Sequence, residues 1–319
     1  MIEDAAVWIV AGAIVWYVAR GLTPDALVRH IRQADLKLFL AANLTSFLIW
    51  WLGDTYLFAR LFSFFHGPCR FREVVAPSAA QYFLQAVNVA VAAGALVLFL
   101  NRRKQVPWLT ATWTVVFQSL VDGIALALLF VVVSLLWPKS PVGWSLPYAS
   151  LALLFLLLVA LWWHRGKPRT RLGRWLYTRP GLHAFRTAGW HEYLVLGGIR
   201  LATFVPQSVL YYYQLRSFDA LVPFNIVVAL TPAMLLVVNT PFTPSGVGPL
   251  QAVIVDGMRR FAPHGRLLAA SLAISAMQLL CRLPLGVGAA GTFARKVMRP
   301  GLEPQAPLPE SSMHAHDCL

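Results

Sequence analysis

Residues 237–253, VVNTPFTPSGVGPLQAV, set three prolines and two glycines inside an otherwise apolar run. Proline donates no backbone hydrogen bond, so Pro241, Pro244 and Pro249 forbid a continuous helix between Val238 and Leu250. Ending one helix and starting another strands roughly four carbonyls and four N–H groups. Each costs several kcal/mol when it faces lipid. Such a break lies either outside a bilayer as an ordinary loop, or inside it, packed in protein and lining a wet cavity.

Composition decides that a bilayer is involved. The 319 residues are 58% hydrophobic and 13% charged, with a mean hydropathy of +0.62, outside the range of a soluble globular domain. A hydrocarbon core about 30 Å thick needs roughly 20 apolar residues per helical span. Runs of that kind cover 5–19, 37–62, 78–100, 109–137, 146–164, 187–214, 222–238, 248–260 and 267–292. The expected fold is an all-α, polytopic membrane helix bundle of about 7–9 hydrophobic helices, broken or re-entrant half-helices among them. One transmembrane domain over 1–299 and a disordered Pro-rich tail over 300–319 are expected. The opening Met-Ile-Glu-Asp has no basic n-region or cleavage site, so the first span is read as retained. Cys69, Cys281 and Cys318 are far apart and read as incidental thiols.

A net charge of +14 would suggest nucleic acid in a soluble protein, but here the basic residues sit in the connections, where they set orientation. Arg165, Lys167, Arg169, Arg171, Arg174, Arg179 and Arg186 place the connection after the fifth span in the cytoplasm. Counting back puts Arg102, Arg103 and Lys104 inside, together with Arg20, Arg29, Arg32 and Lys37. Glu3 and Asp4 then fall outside; Arg60, Arg70 and Arg72 fall there too, against the rule. A cell membrane, an outside N-terminus and a cytoplasmic C-terminus are expected.

Polar residues inside the spans share faces at helical spacing. One stripe runs Arg200, Thr203, Gln207, Tyr211, Gln214, and another Asn43, Ser46, Trp50, Asp54. Gln81, Gln85 and Asn88 form a third, Thr114, Gln118 and Asp122 a fourth, and Ser271, Ser275, Gln278 and Arg282 a fifth. Uncharged members of such stripes commonly join transmembrane helices at ~1 kcal/mol per hydrogen bond. Charges at mid-bilayer cost at least ~2.5 kcal/mol and need a partner or water. Arg200 sits near the middle of its span, and Asp54 or Asp122 could neutralise it.

The broken stretch adds a candidate site. The run 222–238 is short and carries Pro223 and Pro232, the mark of discontinuous helices at a substrate site. Pro249 suits the first turn of the helix that follows and leaves the N–H groups of Leu250 and Gln251 free for an anion such as a lipid phosphate. Thr243 and Ser245 could add hydroxyl contacts. The candidate binding residues are therefore Arg200, Asp54, Asp122, Asn88, Gln207, Asn239, Thr243, Ser245, Gly246, Gly248 and Gln251.

Pro241-Phe-Thr-Pro244-Ser-Gly246-Val-Gly248-Pro-Leu-Gln251 resembles the P-x-x-P-G-G-x-G-x-x-E signature of the flippase-like transmembrane region of lysylphosphatidylglycerol synthases and their stand-alone relatives. Gln118-Ser-Leu-Val-Asp122 is similar to that family's E-R-x-x-D segment, and Asn88 followed by Gly94 to its N-x-x-x-P-x-x-G-E segment. Gln251 stands where the family usually has Glu, Ala95 where Glu is usual, and Gln118-Ser119 where Glu-Arg is usual. Glutamine hydrogen-bonds but carries no proton or charge. The resemblance implies translocation of lipids or other amphiphiles between leaflets, through a cavity built from broken helices. The expected partners are membrane lipids, anionic ones above all, and not nucleic acid; a homo-oligomer or a separate synthase subunit stays open.

Enzyme readings find little to stand on. Synthases of the resembled family carry a large soluble domain after the membrane region, whereas here a short tail follows. Asp122-Gly-Ile-Ala-Leu lacks the arginine of a phospholipid alcohol transferase motif. His191-Glu192 begins like H-E-x-x-H, but position 195 is Val. No enzyme activity, cofactor or metal is expected. A scaffold whose polar stripes only join helices is the third reading.

Overall fold

A computed structural model describes residues 24–85, 89–137, 148, 151–153, 155–156, 182–239 and 247–298. All regular structure among them is helical, as the hydropathy pattern predicts. In chain order the helices are α1 (Pro24–Gln33), α2 (Leu36–His66), α3 (Phe71–Gln85), α4 (Val89–Lys104), α5 (Trp108–Leu136), α6 (His183–Thr187), α7 (Trp190–Arg216), α8 (Phe224–Asn239), α9 (Pro249–Met258) and α10 (His264–Met298). Four of them, α2, α5, α7 and α10, are long and apolar enough to cross a membrane. The predicted spans 5–19 and most of 146–164 lie outside the described residues, as does the tail. From the second of these, Leu156 reaches α5, where a Cβ on Gly123 would meet it at 3.4 Å.

Short polar contacts fix which helix ends lie together. The Asp35 side chain caps α2 by accepting from Leu38 N–H at 3.0 Å, and the Asp35 N–H donates to the Ser217 carbonyl just past α7, at 2.7 Å. Arg266, in the first turn of α10, pairs with Asp219. At the other end His66, the last residue of α2, bonds Thr114 of α5 at 2.8 Å and its ring lies 6.4 Å from that of His183 on α6. Two bundle ends result: one with the starts of α2, α8 and α10, the other with the starts of α3, α5 and α7.

α3 and α4 do not form the single span predicted over 78–100. One helix from Phe71 to Lys104 would hold those residues about 50 Å apart. Instead, Lys104 Nζ donates to the Pro68 carbonyl at 2.6 Å and lies 3.7 Å from Glu73. The chain enters from the second end, turns within the bundle and leaves by the same end. With 15 and 16 residues, these half-helices reach only about 22–24 Å. α8 and α9, with 16 and 10 residues, make the corresponding hairpin from the first end. The break predicted between Val238 and Leu250 falls in this second turn, whose residues 240–246 lie outside the described residues.

This geometry also corrects the charge placement. α2 separates Lys37 from His66, so Arg29, Arg32 and Lys37 lie at the end opposite Lys104, not beside it. Arg70 and Arg72, expected across the membrane from Arg102–Lys104, share their end, because the hairpin returns the chain to it.

Two apolar clusters hold the ends. Toward the first, Phe204 and Leu215 of α7 meet Met234 of α8, Ile254 and Met258 of α9 and Leu268 of α10. Toward the second, Leu57, Phe58 and Phe62 of α2 pack with Leu96 and Leu100 of α4, Phe117 of α5 and Leu196 of α7. The outer surface is apolar as well: Leu44, Leu48, Leu52 and Tyr56 form an exposed i, i+4 stripe on α2, suited to acyl chains. Cys69 and Cys281 are free and buried; burial pushes the Cys69 thiol, in the α2–α3 connection, up to about 11.

Candidate functional site

Between the two clusters lies a cavity of about 290 Å³ to which α2, α3, α5, α7, α8 and α10 contribute. The polar stripes of five helices converge on it. Each helix turns one row of polar side chains inward while its opposite face stays apolar, so the sequence periodicity becomes a shared polar interior.

Arg200 of α7 sits at the centre, only 3% exposed. Its Nε donates to Asp122 Oδ1 at 2.5 Å and its Nη2 to Asp122 Oδ2 at 2.9 Å, a bidentate pair. Its Nη1 donates to Asp54, so one guanidinium joins α2, α5 and α7. Tyr82 Oη donates to Asp54 Oδ2 at 2.6 Å and Gln118 Nε2 to Asp122 Oδ2 at 2.5 Å. The guanidinium also lies 5.3 Å from the Phe204 ring centroid. On α10 a second guanidinium, Arg282, stands 5.9 Å from the Tyr82 ring. Planar, multi-donor contact of this kind is how a buried arginine offsets the cost of leaving water.

The predicted site residues fall into three groups. Asp54, Asp122, Arg200 and Asn239 line the cavity, with Asn239 at the inner end of α8. Gln207, Gly248 and Gln251 do not. Gln207 is buried against α2, where Ser46 Oγ donates to its Oε1 at 2.6 Å. Gly248, at φ +96°, precedes α9. Its N–H donates to Gln251 Oε1 at 2.6 Å, so this amide is engaged within the turn. Gln251 Nε2 donates in turn to the Ser271 carbonyl at 3.2 Å and to Ser275 Oγ at 3.0 Å. Leu250 and Gln251 are both 0% exposed. Asn88, Thr243, Ser245 and Gly246 lie outside the described residues.

Those contacts explain why glutamine suits position 251. A carboxylate there would still accept from Gly248 but would face the Ser271 carbonyl acceptor to acceptor. Gln251→Glu is expected to destabilise the protein by about 1–3 kcal/mol, the cost of unmet buried polar groups. Heating detergent-solubilised wild type and variant and measuring the fraction that stays monodisperse checks this.

Tyr82, Gln85, Gln118, Gln278 and Arg282 also line the cavity. Tyr82 is the one that stripe reading passes over, although Ser78, Tyr82 and Gln85 repeat at i, i+4 and i+7 and would have placed it on the inner face of α3. No curated protein matches the chain. The model of the family described as the lysylphosphatidylglycerol synthase TM region matches residues 5–286, nearly the whole of the bundle with both hairpins and the cavity between them. The chain is thus a member of the lysylphosphatidylglycerol synthase transmembrane-region family.

Proposed function

We propose that this membrane protein moves a lipid or another amphiphile, anionic ones included, between leaflets, with the headgroup passing through the central cavity. The observation that carries the reading is the charged cluster of Arg200, Asp54 and Asp122, placed on a cavity at mid-bundle. Hairpins of half-helices approach it from opposite ends, and discontinuous helices with ionisable residues at mid-membrane are how many transporters build a substrate site. Arg200 and Arg282 provide the cationic side of such a site. Exposed apolar faces leave the acyl chains a path through the surrounding lipid.

In this reading the chain is a transporter rather than an enzyme, it sits in the cell membrane, and its second end faces the cytoplasm. In sequence the basic run from Arg165 to Arg179 precedes α6, which starts at that end, and Arg102, Arg103 and Lys104 close α4 there. Juxtamembrane basic residues attract anionic lipid at ~1 kcal/mol each. α10 ends on the same side.

Purified protein in liposomes is expected to bring labelled lipids of one leaflet to the other, read by the fraction that an impermeant quencher reaches. Ser119→Trp, which fills the cavity from an exposed position on α5, is expected to reduce the rate to that of empty liposomes at unchanged expression. Wild type no faster than empty liposomes over a panel of headgroups would overturn the proposal.

A further inference from the structure

Resting on the reading of the cavity as a headgroup passage, we propose that it recognises the hydroxyl groups of a glycosyl or polyol headgroup, and that net charge is not its selector. Among the described residues four charged side chains line the cavity, Arg200 and Arg282 against Asp54 and Asp122, and their formal charges cancel. The guanidinium of Arg200 already faces two carboxylates, one of them through a bidentate contact. A headgroup selected for charge alone would meet a described lining with no net formal charge.

Carboxamides dominate the rest of the polar lining: Gln81, Gln85, Gln118, Asn239 and Gln278. One of them is unmatched. Oε1 of Gln81 is shielded from water and accepts no hydrogen bond among the described residues, whereas the Gln278 carboxamide meets the buried Tyr211 hydroxyl. Gln81 is 8% exposed and sits beside Tyr82 on α3; Gln278 sits one turn before Arg282 on α10. Native interiors rarely leave such acceptors unmet, and those that remain call for a ligand or water. A hydroxyl both donates and accepts, so it satisfies a carboxamide in either orientation. A quaternary ammonium donates nothing, and a phosphate monoester only accepts once ionised. At about 290 Å³ the cavity is at the small end of ligand pockets, enough for one headgroup and not for an oligosaccharide.

The test is lipid retention by the detergent-solubilised full chain in native mass spectrometry, with four lipids of identical acyl chains. Monoglucosyl diacylglycerol offers hydroxyls without charge, and phosphatidylglycerol hydroxyls with a phosphate. Phosphatidic acid offers a phosphate without alcohol hydroxyls, and phosphatidylcholine neither alcohol hydroxyls nor net charge. The two hydroxyl-bearing lipids are expected to be retained over the other two, and the stronger of the pair identifies the source. Gln81→Leu is expected to weaken that preference roughly tenfold, as one lost hydrogen bond does. Should Gln81→Leu fail to elute as a single species, Gln85→Leu takes its place. Phosphatidic acid retained as well as the hydroxyl lipids, or a preference unchanged in the variant, would overturn the inference. Transport fails separately: lipids crossing at equal rates whatever their hydroxyls sink this inference and leave translocation standing, whereas no crossing by any lipid, with the retention preference intact, sinks translocation alone.

Discussion

Arg200→Leu is expected to lose about 3–5 kcal/mol of stability, because it strands two carboxylates in the interior of the bundle. Asp54 and Asp122 approach each other only through the guanidinium between them, and neither has a second arginine donating to it among the described residues. The loss should appear as a sharp fall in the monodisperse fraction after mild heating. Its origin is separable by rescue. Arg200→Leu combined with Asp54→Asn and Asp122→Asn removes the stranded charges and should recover most of the stability, since apolar or neutral replacement of a whole buried ionic cluster is often tolerated. The rescued protein is nonetheless expected to transport no faster than empty liposomes, which separates the structural duty of the cluster from its proposed functional one. A triple variant as unstable as Arg200→Leu would show that the carboxylates were not the cause.

Gly286→Leu is expected to have the second largest effect. A Cβ at Gly286 on α10 would lie 2.1 Å from Phe83 Cδ2 and 2.6 Å from Phe83 Cβ on α3. The second of these atoms is next to the backbone, so the half-helix itself has to move. Overpacking of this order costs about 1–3 kcal/mol for a well-packed core, and leucine extends further than its first carbon. Because Tyr82 precedes Phe83, the displacement would also draw the Tyr82 hydroxyl away from Asp54. Reduced heat stability together with reduced transport is the expected result. Gly94→Ala on α4 is the control: a Cβ there meets nothing within 4 Å, and loss of a helical glycine should leave stability equal or higher. Equal tolerance at both positions would mean that α3 and α10 are not in the close contact described.

Much of this architecture can be read from the residues, and the exceptions have physical causes. Prolines 241, 244 and 249 announce the break after α8, because no helix passes through them. The break after α3 has no such sign: Ala86-Val87-Asn88 contains neither proline nor glycine. That hairpin is fixed by contacts remote in sequence, Lys104 with Pro68 and α3 with α10, so hydropathy fuses its two arms into one span. The polar stripes are legible because helical periodicity is a local property. Which stripe members reach the cavity depends on packing: Gln207 and Gln251 carry the same chemistry as Gln81 but spend it on Ser46, Gly248 and Ser271. The amides of Leu250 and Gln251, which the sequence offers to an anion, are fully buried, and the Gln251 side chain turns back to the Gly248 amide three residues before it. Tyr82 is followed by Phe83 and Leu84 and is easily counted with the core.

The two hairpins have a consequence for how the protein is made. Neither α3 nor α4, nor α8 nor α9, is long enough to partition from the translocon as an independent span. Their inner ends would meet hydrocarbon with backbone groups unmatched until neighbouring helices enclose them. Insertion of the long helices must therefore come first, with the short arms folding in afterwards, and a ribosome that has just released α3 and α4 leaves them waiting for an α10 not yet synthesised.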